Sequence, residues 1–135
     1  MDRAIINEID RSPIHPNSVI VYDIDDTLMT PNGVPIWPIL NTYNYAKRKG
    51  LTPVLITARP STDENIVYTR RQLERAGIRG YACIYFRPVE RQDVTRYKRM
   101  ARRDLHNRGY HVIASVGDTP WDIGDYGGKG FLLKR

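Results

Sequence analysis

Short apolar runs alternate along the chain with longer stretches in which apolar residues recur at helical spacing. The apolar runs predict strands at 19–22, 52–56, 82–86, 110–116 and 130–133. The longer stretches predict helices at 37–49, 61–77 and 96–108, followed by a short helical turn at 121–126. Alternation of this kind is typical of βαβ units that build a parallel sheet.

The predicted helices have recognisable ends. Residues 61–64, Ser-Thr-Asp-Glu, match a capping box that starts the second helix. Gly50, Gly77 and Gly109 are natural stops for the three helices. We therefore expect a three-layer α/β/α sandwich, Rossmann-like, with about five parallel strands. The 135 residues predict a single domain, 1–135, long enough for one core but too short for a separate substrate-binding domain.

Polar side chains with catalytic potential follow the strands. Asp23, Asp25 and Asp26 come directly after the first apolar run, so a buried strand carries carboxylates to its carboxyl end. Open α/β sheets bind their ligands at that edge. Because Asp is also an ordinary turn and capping residue, this cluster needs support from elsewhere in the chain. Three later segments provide it: 54–57, Lys98 and 117–122.

The acidic cluster also matches the start of an EF-hand calcium loop. Such a loop needs Gly at its sixth position and Glu at its twelfth. Leu28 and Val34 occupy those positions, which excludes this interpretation. Asp26 is interpreted as a local hydrogen-bonding or capping residue, and Thr27 as part of the turn.

Taken together, the four segments resemble the haloacid dehalogenase-like (HAD) superfamily of Mg²⁺-dependent phosphatases. The stretch from Tyr97-Lys98 to Gly117-Asp118 and Asp122 is similar to the acid-phosphatase branch, which includes plant vegetative storage proteins. The resemblance implies strand order 3-2-1-4-5, with the strands that end at Asp23, Thr57 and Asp118 side by side. The chain has no room for the cap domain that many members carry, and Pro120-Trp121 departs from the acid-phosphatase pattern.

The resemblance also implies catalytic roles. Asp23 would attack phosphorus and become a phosphoaspartyl intermediate. Asp25 would protonate the leaving oxygen and then activate water, which favours phosphoryl transfer over dehalogenation. Thr57 would contact a phosphoryl oxygen, and Lys98 would supply a fixed positive charge to the transition state.

A magnesium ion is implied by the same resemblance. Asp23, the backbone carbonyl of Asp25, and Asp118 would bind the metal directly, since hard oxygen ligands suit Mg²⁺. Asp122 would act through water or by orienting Lys98. The alternative for Asp122 is an ordinary first-turn aspartate favoured by the helix dipole.

Arg59 has two equal interpretations. Its planar guanidinium would clamp the leaving part of the substrate as a substrate-binding residue. Alternatively, Arg59 is a solvated loop residue, because the local sequence Ala58-Arg59-Pro60 carries little information.

The charge of the chain bears on its substrate. The formal net charge is +6, which suggests a negatively charged partner, although solvated basic helix faces are an equally ordinary cause. A site without a cap is expected to accept a large or exposed substrate such as a polynucleotide 3′-phosphate. The basic segments that would follow a phosphate backbone are 70–79 and 96–108. No aromatic stacking platform is recognisable in the sequence.

Two other classes compete with the phosphatase. A non-catalytic phosphate-binding or storage-type relative would have lost Asp23 or Asp25, but both are present. A phospho-acceptor receiver domain would place its phosphorylated Asp after the third strand, where this chain has Phe86-Arg87-Pro88.

The remaining expectations concern the compartment. The single cysteine, Cys83, excludes an intramolecular disulfide, and we interpret it as a small buried core residue. Residues 1–10 are broken by charges and do not form a secretory signal. No apolar stretch approaches the roughly 20 residues that span a bilayer. A cytoplasmic protein without membrane contact is therefore expected.

Overall fold

A five-stranded sheet forms the centre of the protein in the computed structural model, which describes residues 1–134. The strands are β1 (Ser18–Tyr22), β2 (Thr52–Pro60), β3 (Ile84–Arg87), β4 (His111–Gly117) and β5 (Lys129–Leu132). Their order is β3-β2-β1-β4-β5, and every neighbouring pair is parallel. The predicted order and direction of the strands are confirmed.

Helices cover both faces of the sheet. They are α1 (Asp2–Arg11), α2 (Trp37–Arg48), α3 (Asp63–Arg75) and α4 (Val94–Asn107), and a 3₁₀ turn follows at Pro120–Asp122. Ile20 and Tyr22 of β1 face a core shared with α1, α2 and α3. Val19 and Val21 face the second core, against α4. Because alternate side chains of a strand point to opposite faces, the fully buried β1 supplies both cores.

Helix α1 was not predicted. Ile5 and Ile9, one helical turn apart, are fully buried against the first core, while most of the intervening side chains are polar or exposed. The apolar stripe of α1 is therefore narrow, which makes it a weak sequence signal for an amphipathic helix.

Several predicted boundaries were wrong by a few residues. Helix α3 is capped by Thr62 rather than Ser61, since the Thr62 side chain accepts a hydrogen bond from the Asn65 amide. Strand β2 runs on to Pro60 because it pairs with Arg87 of β3 after a shift in register. The last helical turn covers only Pro120–Asp122.

Two further differences concern β3 and α4. Strand β3 begins at Ile84, which leaves Cys83 outside the strand and only half-buried at the margin of the second core. Cys83 is therefore not the buried core residue that we expected. Helix α4 begins at Val94, where Asp93 accepts a hydrogen bond from the Arg96 amide at 3.0 Å.

The strand order brings three chain segments to one edge. β1 lies between β2 and β4, with Tyr22 paired to both Leu55 and Val116. The Asp23 amide then donates to the Val116 carbonyl oxygen at 3.0 Å, so the segment after β1 stays beside β4. Among residues 1–134, no helix is both long and apolar enough to cross a membrane.

Candidate active site

A small acidic cavity of about 190 Å³ opens at the carboxyl edge of the sheet. It is lined by Asp23, Asp25, Asp26, Ala58, Lys98, Asp118, Thr119, Trp121 and Asp122. The structure thus brings together most of the predicted site residues, although Thr57 and Arg59 are not among the residues that line the cavity. A larger cavity of about 770 Å³ lies between α1, α2 and the end of β5 and shares only Asp26 with the acidic one. The titratable groups are concentrated in the smaller cavity.

Asp23 sits at the end of β1, where its side chain is largely buried. One carboxylate oxygen, Oδ1, accepts a hydrogen bond from Lys98 Nζ at 2.9 Å. The other, Oδ2, accepts a long hydrogen bond of 3.4 Å from the Thr27 hydroxyl. The contact with Lys98 is therefore the shorter of these two hydrogen bonds.

Lys98 reaches this carboxylate from α4 and is only 2% exposed. Its ammonium contacts Asp23 Oδ1 at 2.9 Å, Asp122 Oδ1 at 2.8 Å and the Ile56 carbonyl oxygen at 2.7 Å. The ammonium donates hydrogen bonds to Asp23 and Ile56, while Asp122 Oδ1 is an ion-pair partner that accepts no hydrogen bond within residues 1–134. Lys98 is thus a buried cation with two hydrogen bonds and one further ionic contact.

Asp122 fixes Lys98 from the side of β4. Its Oδ2 atom accepts hydrogen bonds from the Thr119 amide at 3.0 Å and the Thr119 hydroxyl at 2.7 Å, while Oδ1 faces Lys98. This close packing requires a glycine at 117, because a Cβ there would lie 2.2 Å from Asp122 Cβ. Oδ2 of Asp122 is therefore hydrogen-bonded to Thr119, whereas Oδ1 has the ion pair with Lys98 and no hydrogen bond within residues 1–134.

The electrostatic environment of Asp23 is unfavourable to its own charge. Burial is the largest effect and raises the pKa of the Asp23 carboxyl group to about 8, although the ammonium of Lys98 acts in the opposite direction. Asp122 and a hydrogen bond with Asp118 raise the pKa further. A cation in the cavity would favour the ionised form of Asp23.

The acidic residues can offer oxygen ligands to such a cation. One carboxylate oxygen from each of Asp23, Asp118 and Asp122 lies within 4.8 Å of the others. Clustered carboxylates of this kind fit a hard divalent ion such as Mg²⁺. Asp122 would offer Oδ1, the oxygen that also faces Lys98 at 2.8 Å, because its Oδ2 is hydrogen-bonded to Thr119.

Arg59 is neither solvated nor directed at the cavity. Its Nε and Nη2 atoms donate hydrogen bonds to the two carboxylate oxygens of Asp25 at 3.0 and 2.6 Å. Its Nη1 atom donates to the Thr69 hydroxyl at 2.9 Å and to Gln72 Oε1 at 2.6 Å. Arg59 thus ties Asp25 to α3, and Asp25 keeps 33% of its side chain exposed toward the cavity.

Thr57 lies beneath the site. It is fully buried, and its hydroxyl oxygen accepts a hydrogen bond from the Arg59 amide at 3.1 Å. Sequence reasoning missed Thr69 and Gln72, which support Arg59. Their signal is a pair of polar residues three apart on the buried side of α3, next to Leu73.

The sequence pattern of HAD superfamily, subfamily IIIB (acid phosphatase), matches residues 31–134. The match covers most of the chain and spans Thr57, Lys98, Asp118 and Asp122. The chain belongs to this family. The resemblance to the acid-phosphatase branch is confirmed, and the match begins just after the segment that carries Asp23 and Asp25.

Solved structures with the same fold support the architecture of this subfamily IIIB member. One, described as "Structure of the Pnkp1/Rnl/Hen1 RNA repair complex", superposes with a TM-score of 0.68 at 18% identity, covering 87% of this chain and 42% of the other. A second, "Structure of Pnkp1/Rnl/Hen1 complex", gives 0.69 at 18%, covering 87% and 46%. The chain spans less than half the length of these neighbours. No curated protein matches the sequence.

Proposed function

We propose that this HAD subfamily IIIB protein is a Mg²⁺-dependent phosphomonoester hydrolase that works through a phosphoaspartyl intermediate on Asp23. One observation carries the proposal: Asp23 ends the central strand with one oxygen held 2.9 Å from the buried Lys98 ammonium. The other oxygen, Oδ2, lies 3.4 Å from the Thr27 hydroxyl, and we propose it as the atom that reacts.

The reaction has two steps. In the first, an Asp23 oxygen bonds to phosphorus, the bond from phosphorus to the leaving oxygen breaks, and Asp25 gives its proton to that oxygen. In the second, Asp25 takes a proton from water, the water oxygen bonds to phosphorus, and the bond to Asp23 breaks. Inorganic phosphate leaves, and Asp23 is restored.

Neighbouring residues hold these two carboxylates in place. Lys98 balances the charge that develops on the phosphoryl oxygens, and Asp122 positions Lys98 through the 2.8 Å contact. Arg59 keeps Asp25 at the cavity wall through its paired hydrogen bonds. Thr57 supports this arrangement because its hydroxyl oxygen accepts a hydrogen bond from the Arg59 amide.

Asp23, Asp118 and the backbone carbonyl of Asp25 would hold the Mg²⁺ ion. Once bound, the ion offsets negative charge on the phosphoryl group and on the clustered carboxylates. Asp122 would act indirectly, by positioning Lys98.

We propose a polynucleotide 3′-phosphate as the substrate. The cavity holds only about 190 Å³, the chain carries a net charge of +6, and a structure of the same fold is described as an RNA repair complex. A basic surface attracts a phosphate backbone, and such binding weakens steeply with added salt.

Hydrolysis of p-nitrophenyl phosphate with and without Mg²⁺ tests the reaction class. Asp23→Asn keeps the shape of the side chain but removes the nucleophile, so turnover should disappear. Asp63→Asn, on the exposed first turn of α3, is the matched control and should retain turnover. Metal-independent turnover, or turnover that survives in Asp23→Asn, would overturn the mechanism. Absence of turnover in the wild type, on this ester and on a 3′-phosphorylated oligonucleotide, would favour a non-catalytic storage or phosphate-binding protein.

Added salt tests the substrate class. With a 3′-phosphorylated oligonucleotide, kcat/KM should fall steeply as salt is raised, while kcat/KM for p-nitrophenyl phosphate should change little. Equal salt responses would argue against a polynucleotide.

A further inference from the structure

The acidic cavity is too small for a whole nucleotide. Its volume is about 190 Å³, whereas pockets that enclose a drug-sized ligand measure about 300–1,000 Å³. A phosphoryl group fits inside, but the leaving part of the substrate must lie across the rim. The residues of the rim therefore decide which leaving groups are held.

Trp121 is the large apolar residue of that rim. It lines the cavity together with Asp23 and Asp118, and 37% of its surface is exposed. It belongs to neither of the hydrophobic clusters that fill the two faces of the sheet. Its ring is thus partly exposed at the cavity, outside the two cores.

The backbone that carries Trp121 is fixed. Arg102, which is buried under this segment, donates from Nη1 to the Trp121 carbonyl oxygen at 2.8 Å and from Nε to the Asp125 carbonyl oxygen at 2.9 Å. Pro120 precedes Trp121, and the buried, hydrogen-bonded Asp122 follows it. A partly exposed ring on a fixed backbone loses little entropy when a flat ligand stacks on it.

We propose that Trp121 is the stacking surface for the base of the nucleotide whose 3′-phosphate is removed. This inference rests on the proposed phosphatase function and adds the element that selects the leaving group. Stacking on an aromatic side chain tolerates every base, because each base has a flat π-face. The site would therefore recognise a nucleic-acid end with little preference for its sequence.

The surroundings favour a nucleic acid over an aromatic phospho-amino acid. Helix α4 packs against the 3₁₀ turn that carries Trp121. Along this helix, Arg96, Arg99 and Arg103 are exposed at spacings of three and four residues, so they share a face. Arg99 lies over the Tyr126 ring and pairs with the exposed carboxylate of Asp125, an ion pair that contributes little and can be exchanged for a phosphate. A row of arginines beside a stacking ring suits the phosphates that precede the terminal nucleotide.

Two oligonucleotides test the inference by kinetics. Both carry a 3′-phosphate, and one has an abasic terminal residue. In the wild type, kcat/KM for the normal substrate should exceed that for the abasic one by about 10- to 100-fold. Trp121→Ala should reduce this ratio to about one, and Trp121→Phe should restore most of it. Trp37→Ala removes the other tryptophan, which is exposed outside the acidic cavity, and should leave the ratio unchanged.

Binding without turnover gives a second readout. In an Asp23→Asn, Trp37→Phe protein, Trp121 is the remaining tryptophan, and the normal oligonucleotide should quench its fluorescence more than the abasic one. Equal quenching, or a wild-type ratio near one in a protein that hydrolyses acetyl phosphate, would overturn the inference and leave the phosphatase proposal standing. Quenching by a phosphotyrosine peptide but not by the oligonucleotide would also overturn it. A wild-type protein that hydrolyses neither the oligonucleotides nor acetyl phosphate would overturn the phosphatase proposal itself.

Discussion

Asp23 and Asp25 are two residues apart, and each is bonded to a cation, yet their surroundings differ. Asp23 contacts the ammonium of Lys98, which is 2% exposed, donates to the Ile56 carbonyl oxygen and forms an ion pair with Asp122. Asp25 accepts two hydrogen bonds from the planar guanidinium group of Arg59 and keeps 33% of its side chain exposed. Asp23 is therefore a buried carboxylate beside a fixed positive charge. Asp25 is held in one orientation but remains open to the cavity.

The difference fits the two proposed tasks. A nucleophile benefits from a fixed geometry and from a charge that is already in place when the phosphoryl group arrives. An acid that later becomes a base must exchange protons with the leaving oxygen and with water, so it has to remain accessible. The fold serves both because Asp23 contacts Lys98 of α4, whereas Asp25 contacts Arg59 of β2, which is anchored to α3.

Lys98→Met should cause the largest effect, because it leaves the buried carboxylates of Asp23 and Asp122 facing each other without a cation. We expect the free energy of unfolding to fall by about 3–5 kcal/mol and turnover to fall by about 100- to 1,000-fold. Urea denaturation and steady-state kinetics measure the two. Lys129→Met, on the exposed edge of β5, is the control and should change neither. A stable, active Lys98→Met protein would show that Asp23 does not depend on the buried charge of Lys98.

Arg59→Lys should have an intermediate effect, because lysine keeps the charge but loses the paired hydrogen bonds to Asp25. For an alkyl phosphate, whose leaving oxygen needs a proton, we expect kcat to fall by about 10- to 100-fold. For p-nitrophenyl phosphate the loss should be smaller, since nitrophenolate leaves without a proton. The comparison of kcat for the two esters is the measurement.

The control for this experiment is Arg70→Lys on the exposed face of α3. Equal losses of kcat on both esters would indicate that Arg59 acts on the whole site rather than through Asp25.

Thr27→Val should have the smallest effect. The Thr27 hydroxyl donates to Asp23 over 3.4 Å, which is long for a bond between two oxygens. Valine preserves the shape, so the free energy of unfolding should change by about 1 kcal/mol or less and turnover should stay close to that of the wild type. A loss of turnover comparable to that of Lys98→Met would show that both oxygens of Asp23 need fixed partners.

Much of the fold could be predicted from sequence because strands and helices leave local signals. The burial of both faces of β1 appears in the sequence as an unbroken apolar run. Helix α1 left a weaker signal, since only Ile5 and Ile9 are buried among polar neighbours. The extension of β2 to Pro60 depends on its partner Arg87, which no local pattern reveals.

In the candidate site, too, only the residues with a local sequence signal could be predicted. Asp23 and Asp118 were found because each directly follows an apolar strand. The bond between Arg59 and Asp25 was not foreseen, since it joins residues from separate elements whose packing sets the distance. Thr69 and Gln72 were missed for the same reason, and so was the position of Trp121 on the rim.

By itself, the sequence determined which segments become strands and helices and which polar residues follow the strands. Local hydrophobic periodicity and turn chemistry are enough for that. Only the tertiary structure decided that Lys98 is buried between two carboxylates, that Arg59 grips Asp25, and that Trp121 stands exposed beside Asp23. Such contacts depend on how α3, α4 and the turn after β4 pack against the sheet, and side chains far apart along the chain meet only after that packing is complete.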